Sequence, residues 1–434
     1  MKEISFPKNF MWGAATSSHQ VEGDNRNNDW WQAETQGLVP YQSGEACNQY
    51  NLFAQDFDLA KNLSHNTHRF SIEWSRIEPE MGKFDEAATI HYRRMLLYLR
   101  ELGIEPVVTL HHFTNPIWFS NIGGWTNRKA PAYFARYTEY CAEHFGDYVK
   151  WWVTINEPTI YVYMGYMIGH WPPFKINIIS AIKAAINLSS AHKRAYQIIH
   201  QTNKSDRSYA AQKMVGIAHN IADYTAAHSY NLFERIAARI AKFFANDYFI
   251  YLTRGKQDFI GLNYYWQKII HLKPWPVLSN NPKIERSDTD WEISPQGLLQ
   301  VLRSLRKFRK PILITENGLA DAKDTMRFNF IFNHILMVYA AISEGIDVRG
   351  YLYWSLLDNF EWEKGFDPRF GLIAINYTNQ ERTVRESAWQ FSKIIKNNSI
   401  DLDDIRPVIE QNLSLYPKVL QRYLQRITRI KPKA

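Results

Sequence analysis

A single (β/α)8 barrel with long βα loops and a C-terminal helical extension is the architecture this sequence predicts. Three observations lead to it. Short runs of β-branched and apolar residues recur along the chain between longer stretches with helical periodicity, the pattern of a parallel α/β sheet. Polar and aromatic residues gather just after each run, where a barrel of this kind places its reactive face. No Gly-rich phosphate loop marks the single switch point that a doubly wound sheet would use.

Eight runs can be followed in order. The first, residues 10–16, is followed by His19 and Gln20. The second, 67–72, carries Arg69 and leads into Glu73. A helix must come next, because His91, Tyr92, Met95, Leu96, Leu99 and Leu102 repeat at helical spacing. The third run, 106–110, ends on His111 and His112, and the fourth, 151–155, on Asn156 and Glu157. The fifth, 215–218, precedes Asn220; the sixth, 259–262, precedes Asn263, Tyr264 and Tyr265. The seventh, 311–315, runs into Glu316 and Asn317, and the eighth, 350–354, closes on Trp354. With no internal repeat or linker, residues 1–398 read as one barrel domain and 399–434 as an appendage.

Composition bounds the function. The chain has 434 residues, 45% hydrophobic and 22% charged, enough for a large core under a charged surface. No stretch reaches the roughly 18 apolar residues of a membrane span, and the start, MKEISFPKNFMWG, lacks the apolar segment of a secretory leader. A cytoplasmic location is expected. Cys47 and Cys141 lie far apart without metal-ligand spacing, so they are expected to be free, buried thiols. The net charge of +8 is not accompanied by any nucleic-acid motif, and no nucleic-acid partner is expected. Part of the excess lies at the C-terminus, where Lys418, Arg422, Arg426, Arg429, Lys431 and Lys433 interleave with Val419, Leu420, Tyr423, Leu424 and Ile427. That is a basic amphipathic helix, expected to pack on the barrel, with contact to a membrane or partner as the alternative. Aromatic residues make up 15% of the chain; their flat faces suit both a core and the C–H faces of sugars.

Two segments carry the chemistry. TINEP puts Glu157 at the end of the fourth run, and ITENG puts Glu316 at the end of the seventh. Retaining hydrolysis of a glycosidic bond needs one carboxyl to protonate the leaving oxygen and another to attack the anomeric carbon, ~5–5.5 Å apart. Each Glu is followed by residues that read as turn formers, Pro158 and Asn317-Gly318, which would fix it at a strand-to-loop junction. A pair of solvated or salt-bridged carboxylates is the competing reading.

TINEP, ITENG and WSLLDNFEW together resemble the signature segments of glycoside hydrolase family 1, and FPKNFMWGAATSSHQVEG, HRFSIEWSRIEP, VTLHHFTNPIWF, FIGLNYY and GFDPRFGLIAINY do so in the family's order, over residues 6 to about 395. The resemblance implies a retaining β-glycosidase of the β-glucosidase type, acting on a small-molecule β-glycoside without cofactor or metal. It implies Glu157 as general acid/base and Glu316 as nucleophile. Asn156 would stand near the sugar's 2-hydroxyl, with Arg69 and Tyr265 holding Glu316 ionised and aimed. Gln20, His112, Asn156, Trp354, Glu361 and Trp362 match the family's sugar-binding positions. Relatives acting on 6-phosphorylated glycosides carry a Ser- and Lys-containing pattern near Glu361. A carboxylate there would repel phosphate, so an unphosphorylated glucoside is expected, with galactoside and fucoside possible. The chain departs from the family pattern at Phe113, where many members have Trp, and in a shorter segment from about Tyr224 to Asp258. The leaving group, the oligomeric state and the alternatives of a β-galactosidase, a β-mannosidase or a catalytically silent glycoside-binding barrel stay open at this point.

Overall fold

The structure, a computed structural model, describes residues 3–202, 212–273, 275–279, 285–402, 406–413, 416, 418, 421 and 424–425. Eight parallel strands close a barrel: β1 (Met11–Ala15), β2 (Thr67–Ser71), β3 (Glu105–His111), β4 (Trp151–Asn156), β5 (Met214–Asn220), β6 (Phe259–Asn263), β7 (Ile312–Asn317) and β8 (Val348–Trp354). These are the eight runs read from the sequence. Neighbours pair in chain order, and the ring closes where Gly350 of β8 meets Met11 of β1. A TIM barrel results.

Each strand alternates between two cores. Met11, Val107, Trp151, Val153, Phe259, Leu313 and Leu352 fill the barrel's interior, while Trp12, Phe70, Val108, Trp152 and Ile260 face the surrounding helices. The helix expected around Tyr92 spans Glu86–Glu101, buries Tyr92, Met95, Leu96 and Leu99, and starts where the Asp85 side chain accepts from the Ala88 amide at 2.8 Å.

Two departures from regular pairing shape the barrel mouth. Register shifts lie between Val153 and Asn156 on β4, and between Ile314 and Glu316 on β7. From inward-facing Leu313, strict alternation would send Glu316 outward. The irregularity re-aims it into the mouth, the use to which bulges near reactive sites are put.

The sequence reading of Asn317-Gly318 as a turn is corrected. Asn317 is the last residue of β7, and its side chain clamps neighbouring strands, donating to the Tyr264 carbonyl at 2.7 Å and accepting from the Tyr351 hydroxyl at 2.8 Å. Gly318 is required by close approach, since a Cβ there would lie 1.9 Å from the Trp354 carbonyl oxygen. Pro158 opens a short helix, Pro158–Val162, where its missing N–H costs nothing.

Glu3–Ser5 pairs antiparallel with Ser399–Asp401 at the edge of the barrel domain. Beyond it, the helix Arg406–Asn412 follows, the Tyr416 hydroxyl donates to Asn333 at 2.6 Å, and Leu424 is buried. Of the expected basic helix, Val419, Leu420, Arg422, Tyr423, Arg426, Ile427, Arg429, Lys431 and Lys433 lie outside the described residues. Cys47 and Cys141 are free and buried. No helix among the described residues is long and apolar enough to cross a membrane.

Candidate active site

At the C-terminal end of the barrel strands lies a pocket with about 720 Å³ of empty space, its mouth included. Gln20, His112, Asn156, Glu157, Tyr265, Glu316, Trp354, Glu361 and Trp362 all line it. Arg69 sits directly beneath, fully buried, and reaches the lining through its guanidinium. The ten positions singled out from the sequence are thus brought to one place.

The floor is a connected polar network. Arg69 Nη1 donates to Glu316 Oε1 at 2.5 Å, Nη2 donates to Asn156 Oδ1 at 2.8 Å, and Nε donates to Thr109 at 3.0 Å. The Tyr265 hydroxyl donates to the other oxygen of Glu316 at 2.6 Å. Asn263 spans the gap: its amide donates to Asn156 Oδ1 at 3.1 Å and to Glu157 Oε1 at 2.7 Å, while its own oxygen accepts from Thr315 at 2.7 Å. Asn220 donates to the same Glu157 oxygen at 3.0 Å. Every interior polar group of this floor therefore has a partner, as burial demands.

The two carboxyls are held differently. Glu157 follows β4 in a left-handed backbone conformation, φ 43° and ψ 55°, which lifts it off the strand direction. Its contacts are neutral amides, and burial, then the nearby charge of Glu316, pushes its carboxyl up to about 8. Burial raises the Glu316 carboxyl too, but the Arg69 cation and the Tyr265 hydroxyl oppose that rise. One proton shared between the two carboxyls therefore rests on Glu157, and the negative charge rests against Arg69.

The walls combine aromatic rings with hydrogen-bonding groups. His112 is kept neutral, its imidazolium disfavoured by burial and by Arg69; its ring lies nearly parallel to Trp354 and Trp362, at 15° and 13°. Its Nδ1 is buried without a partner among the described residues. The Gln20 amide donates to Asn359, to the Phe360 carbonyl and to Glu361, which orients both side chains. Glu361 is pushed up to about 8, mainly by burial, with Lys364 pulling it back. In the empty pocket this weakens the negative charge that the sequence reading placed at Glu361.

Several lining residues escape a reading of the sequence. Asn220 and Asn263 stand out there as polar residues at strand ends, but their grip on Glu157 does not. Trp171, Trp266 and Trp291 come from loops, Ile160 and Met164 from the short helical stretch after β4, and Glu363 and Lys364 from the helical turn Trp362–Lys364. The Trp171 indole donates to Glu363 at 2.5 Å and packs against Phe113 and Trp362. Phe113, at the position where the family pattern often has Trp, also lines the pocket.

Three polar residues near the strand ends take structural parts instead. His19 pairs with Glu34 at 2.8 Å under the Trp362 ring, and His111 faces Asn115 at 3.1 Å. Glu73 caps the helix Trp74–Ile77 and accepts from Ser18 and Thr114 at 2.9 Å. Outside the pocket, His228, Glu234 and His271 put potential ligand atoms within 4.8 Å of one another, the one such group among the described residues.

Known proteins share this architecture along nearly its whole length. The model of glycosyl hydrolase family 1 matches residues 2–253 and 219–400. Beta-glucosidase A of Thermotoga maritima is 31% identical, covering 92% of this chain and 100% of its own, and the beta-galactosidase of Pyrococcus woesei is 32% identical over 91% and 98%. Among solved structures, a beta-glycosidase from Pyrococcus horikoshii superposes with a TM-score of 0.88 at 37% identity, covering 96% of this chain and 99% of that one. A family model spanning the barrel, relatives matched end to end and a carboxyl pair at the mouth lead to one assignment: the chain belongs to glycosyl hydrolase family 1.

Proposed function

We propose that this retaining β-glycosidase works by double displacement, with Glu316 as nucleophile and Glu157 as general acid/base, on unphosphorylated β-glucosides and also on β-galactosides and β-fucosides. The observation that carries the proposal is the asymmetry of the carboxyl pair: Glu316 is salt-bridged to Arg69 at 2.5 Å, whereas Glu157 is held by amides alone.

In the first step Glu316 attacks the anomeric carbon while Glu157 gives its proton to the departing glycosidic oxygen. The glycosyl ester that forms cancels the charge of Glu316, so the pKa of Glu157 falls and it becomes a base. It then takes a proton from water, whose oxygen attacks the same carbon and releases Glu316. Arg69 and Tyr265 regain the carboxylate they aimed, Asn156 stands at the 2-hydroxyl, and Gln20, His112, Glu361, Trp354 and Trp362 hold the ring. No step calls on a metal or organic cofactor. Chelation is expected to leave turnover unchanged, and loss with EDTA restored by a divalent ion would contradict this.

Relatives bearing the names beta-glucosidase and beta-galactosidase support a glycone site tolerant at the 4-hydroxyl. A concave pocket lined by carboxyls, amides and indoles supports a small-molecule β-glycoside as the partner. Two free, buried cysteines support a cytoplasmic setting. The test is hydrolysis of nitrophenyl β-glucoside, β-galactoside, β-fucoside, β-mannoside and 6-phospho-β-glucoside, with Glu316→Ala and azide alongside. Turnover of neutral sugars is expected, lost in the variant and partly restored as the inverted glycosyl azide. Turnover of the phosphorylated sugar alone would overturn the glycone reading, and no turnover by folded protein would leave a silent barrel.

A further inference from the structure

The large apolar side chains left in water are gathered, not scattered. Seven of them lie within residues 163–186 and eight within 230–251, against six in the rest of the described chain. Isolated exposed apolar residues need no explanation, but a concentration of them marks an interaction surface.

The helix Leu232–Lys242 continues through the π-helical turns Phe243–Asp247. At 100° per residue, Leu232, Phe233, Ile236, Ile240, Phe243 and Phe244 form one stripe, and all six are exposed, Phe233 to 71%. Glu234 and Ala238 on the opposite side are buried. A surface helix ordinarily buries its bulky apolar stripe; this one rests on the protein through Glu234 and Ala238 and presents the stripe to solvent. The helix Ile178–Gln201 repeats the inversion over its first turns. There Ile178, Ile179, Ile182 and Ile186 are at least half exposed, while Ala181, Ala184 and Ala185 face inward. Just beyond the two segments, Ser189 of this helix donates to the Leu252 carbonyl at 3.3 Å.

Charge is sorted in the same way. Residues 163–186 contain no Asp or Glu, and 230–251 contain only Glu234 and Asp247. Both acids are buried and engaged, Glu234 by the His228 amide at 2.8 Å and Asp247 by Lys307. Arg235 and Arg239 are exposed, and with Lys242 they run along one border of the stripe.

We propose that this face docks on an anionic phospholipid bilayer, with the aromatic and aliphatic stripe entering the headgroup boundary and the bordering cations meeting lipid phosphates. A second copy is the poorer occupant: a two-fold contact would set the same Arg-bordered stripe against itself, with no exposed acid in either segment to answer the charge. Docking would also fix the pocket's position, since Met164 lines it while Tyr163 and Met167 of the same turn are exposed. The surface differs from the C-terminal basic helix, for which the sequence offers membrane contact as an alternative.

The experiment is flotation of the full chain with vesicles of phosphatidylcholine alone and of phosphatidylcholine and phosphatidylglycerol in equal parts. Binding is expected to the anionic vesicles and to weaken with salt. The variants Phe233→Ser/Ile236→Ser/Phe244→Ser and Arg235→Glu/Arg239→Glu should each lower the partition coefficient about tenfold or more, with unchanged melting and unchanged hydrolysis of a soluble nitrophenyl glucoside. Folded protein that ignores anionic vesicles overturns the proposal, as does binding by either variant as strong as that of the wild type. A dimer in sedimentation equilibrium that the apolar variant splits would give the face to a second copy and overturn it as well.

Discussion

The barrel mouth and the outer face of the helices Ile178–Gln201 and Leu232–Lys242 break the usual partition of side chains in opposite senses. At the mouth, Arg69, Asn156, Glu157, Asn263 and Glu316 bring charge and amide groups into positions with at most 6% exposure. On the outer helices, isoleucines and phenylalanines stand in water while alanines pack inward. Burial of polar groups is tolerated at the mouth because each partner satisfies the next. Exposure of apolar groups on the helices has no such internal compensation. Sites where the inside–outside rule fails are where function, more than stability, accounts for the sequence.

The largest break in this comparison comes from Glu316→Ala, which removes the charge that the Arg69 network was built around. The fall in kcat for a nitrophenyl β-glycoside is expected to be on the order of 10⁴-fold, measured with azide present and absent. Next, Glu157→Gln should cost roughly 10²–10⁴-fold in hydrolysis, yet stabilise the fold. The wild-type carboxyl is pushed from 4.5 up to about 8, so the native state keeps a proton that the unfolded chain releases in that window. Native stability therefore declines as pH rises from 4.5 toward 8, and by pH 8 the glutamine variant should be more stable by on the order of 4 kcal/mol in denaturant melts. A variant that gains nothing across this window would show that the acid is not held protonated.

Tyr265→Phe keeps the ring and removes one hydrogen bond to a charged oxygen. It should lower kcat/KM by roughly 10–100-fold. The smallest effects sharpen the other side of the comparison. On the helix Leu232–Lys242, Ala238→Leu should destabilise by about 1–3 kcal/mol, since the added bulk must enter packed protein. Ile236→Ser on the same helix should stay within about 0.5 kcal/mol. Thermal melts showing the reverse order would mean that the stripe is covered in solution.

Much of the barrel was legible because a strand buried on both faces must read as a short apolar run, and a parallel sheet must separate such runs by helices. Residues 151–155 and 311–315 announced β4 and β7 in this way, and the residues just after them announced the mouth. The two register shifts were not legible: composition does not reveal where pairing slips, although the slips decide that Glu316 points inward. Nor did sequence order reveal that Asn263, on β6, would grip a carboxyl from β4. A polar side chain at the end of FIGLN was the one signal. Trp171, Trp266 and Trp291 reach the pocket from loops, which carry no periodicity from which to read a direction. The inverted stripe on Leu232–Lys242 had the periodicity of an ordinary surface helix; only packing shows which side faces the protein.

Glu361 and Glu157 share one further property, in that each is pushed up to about 8. Near neutral pH the resting pocket is therefore a proton reservoir: two of its three deep carboxyls are acids, and the third is matched by a guanidinium. The neutral sugar proposed above would enter a cavity that is itself close to uncharged. A basic sugar mimic, such as an amine in place of the ring oxygen, would make ionising those acids worthwhile and expel protons into the medium. Its binding heat should then track the ionisation enthalpy of the buffer, whereas that of a neutral glycoside should not.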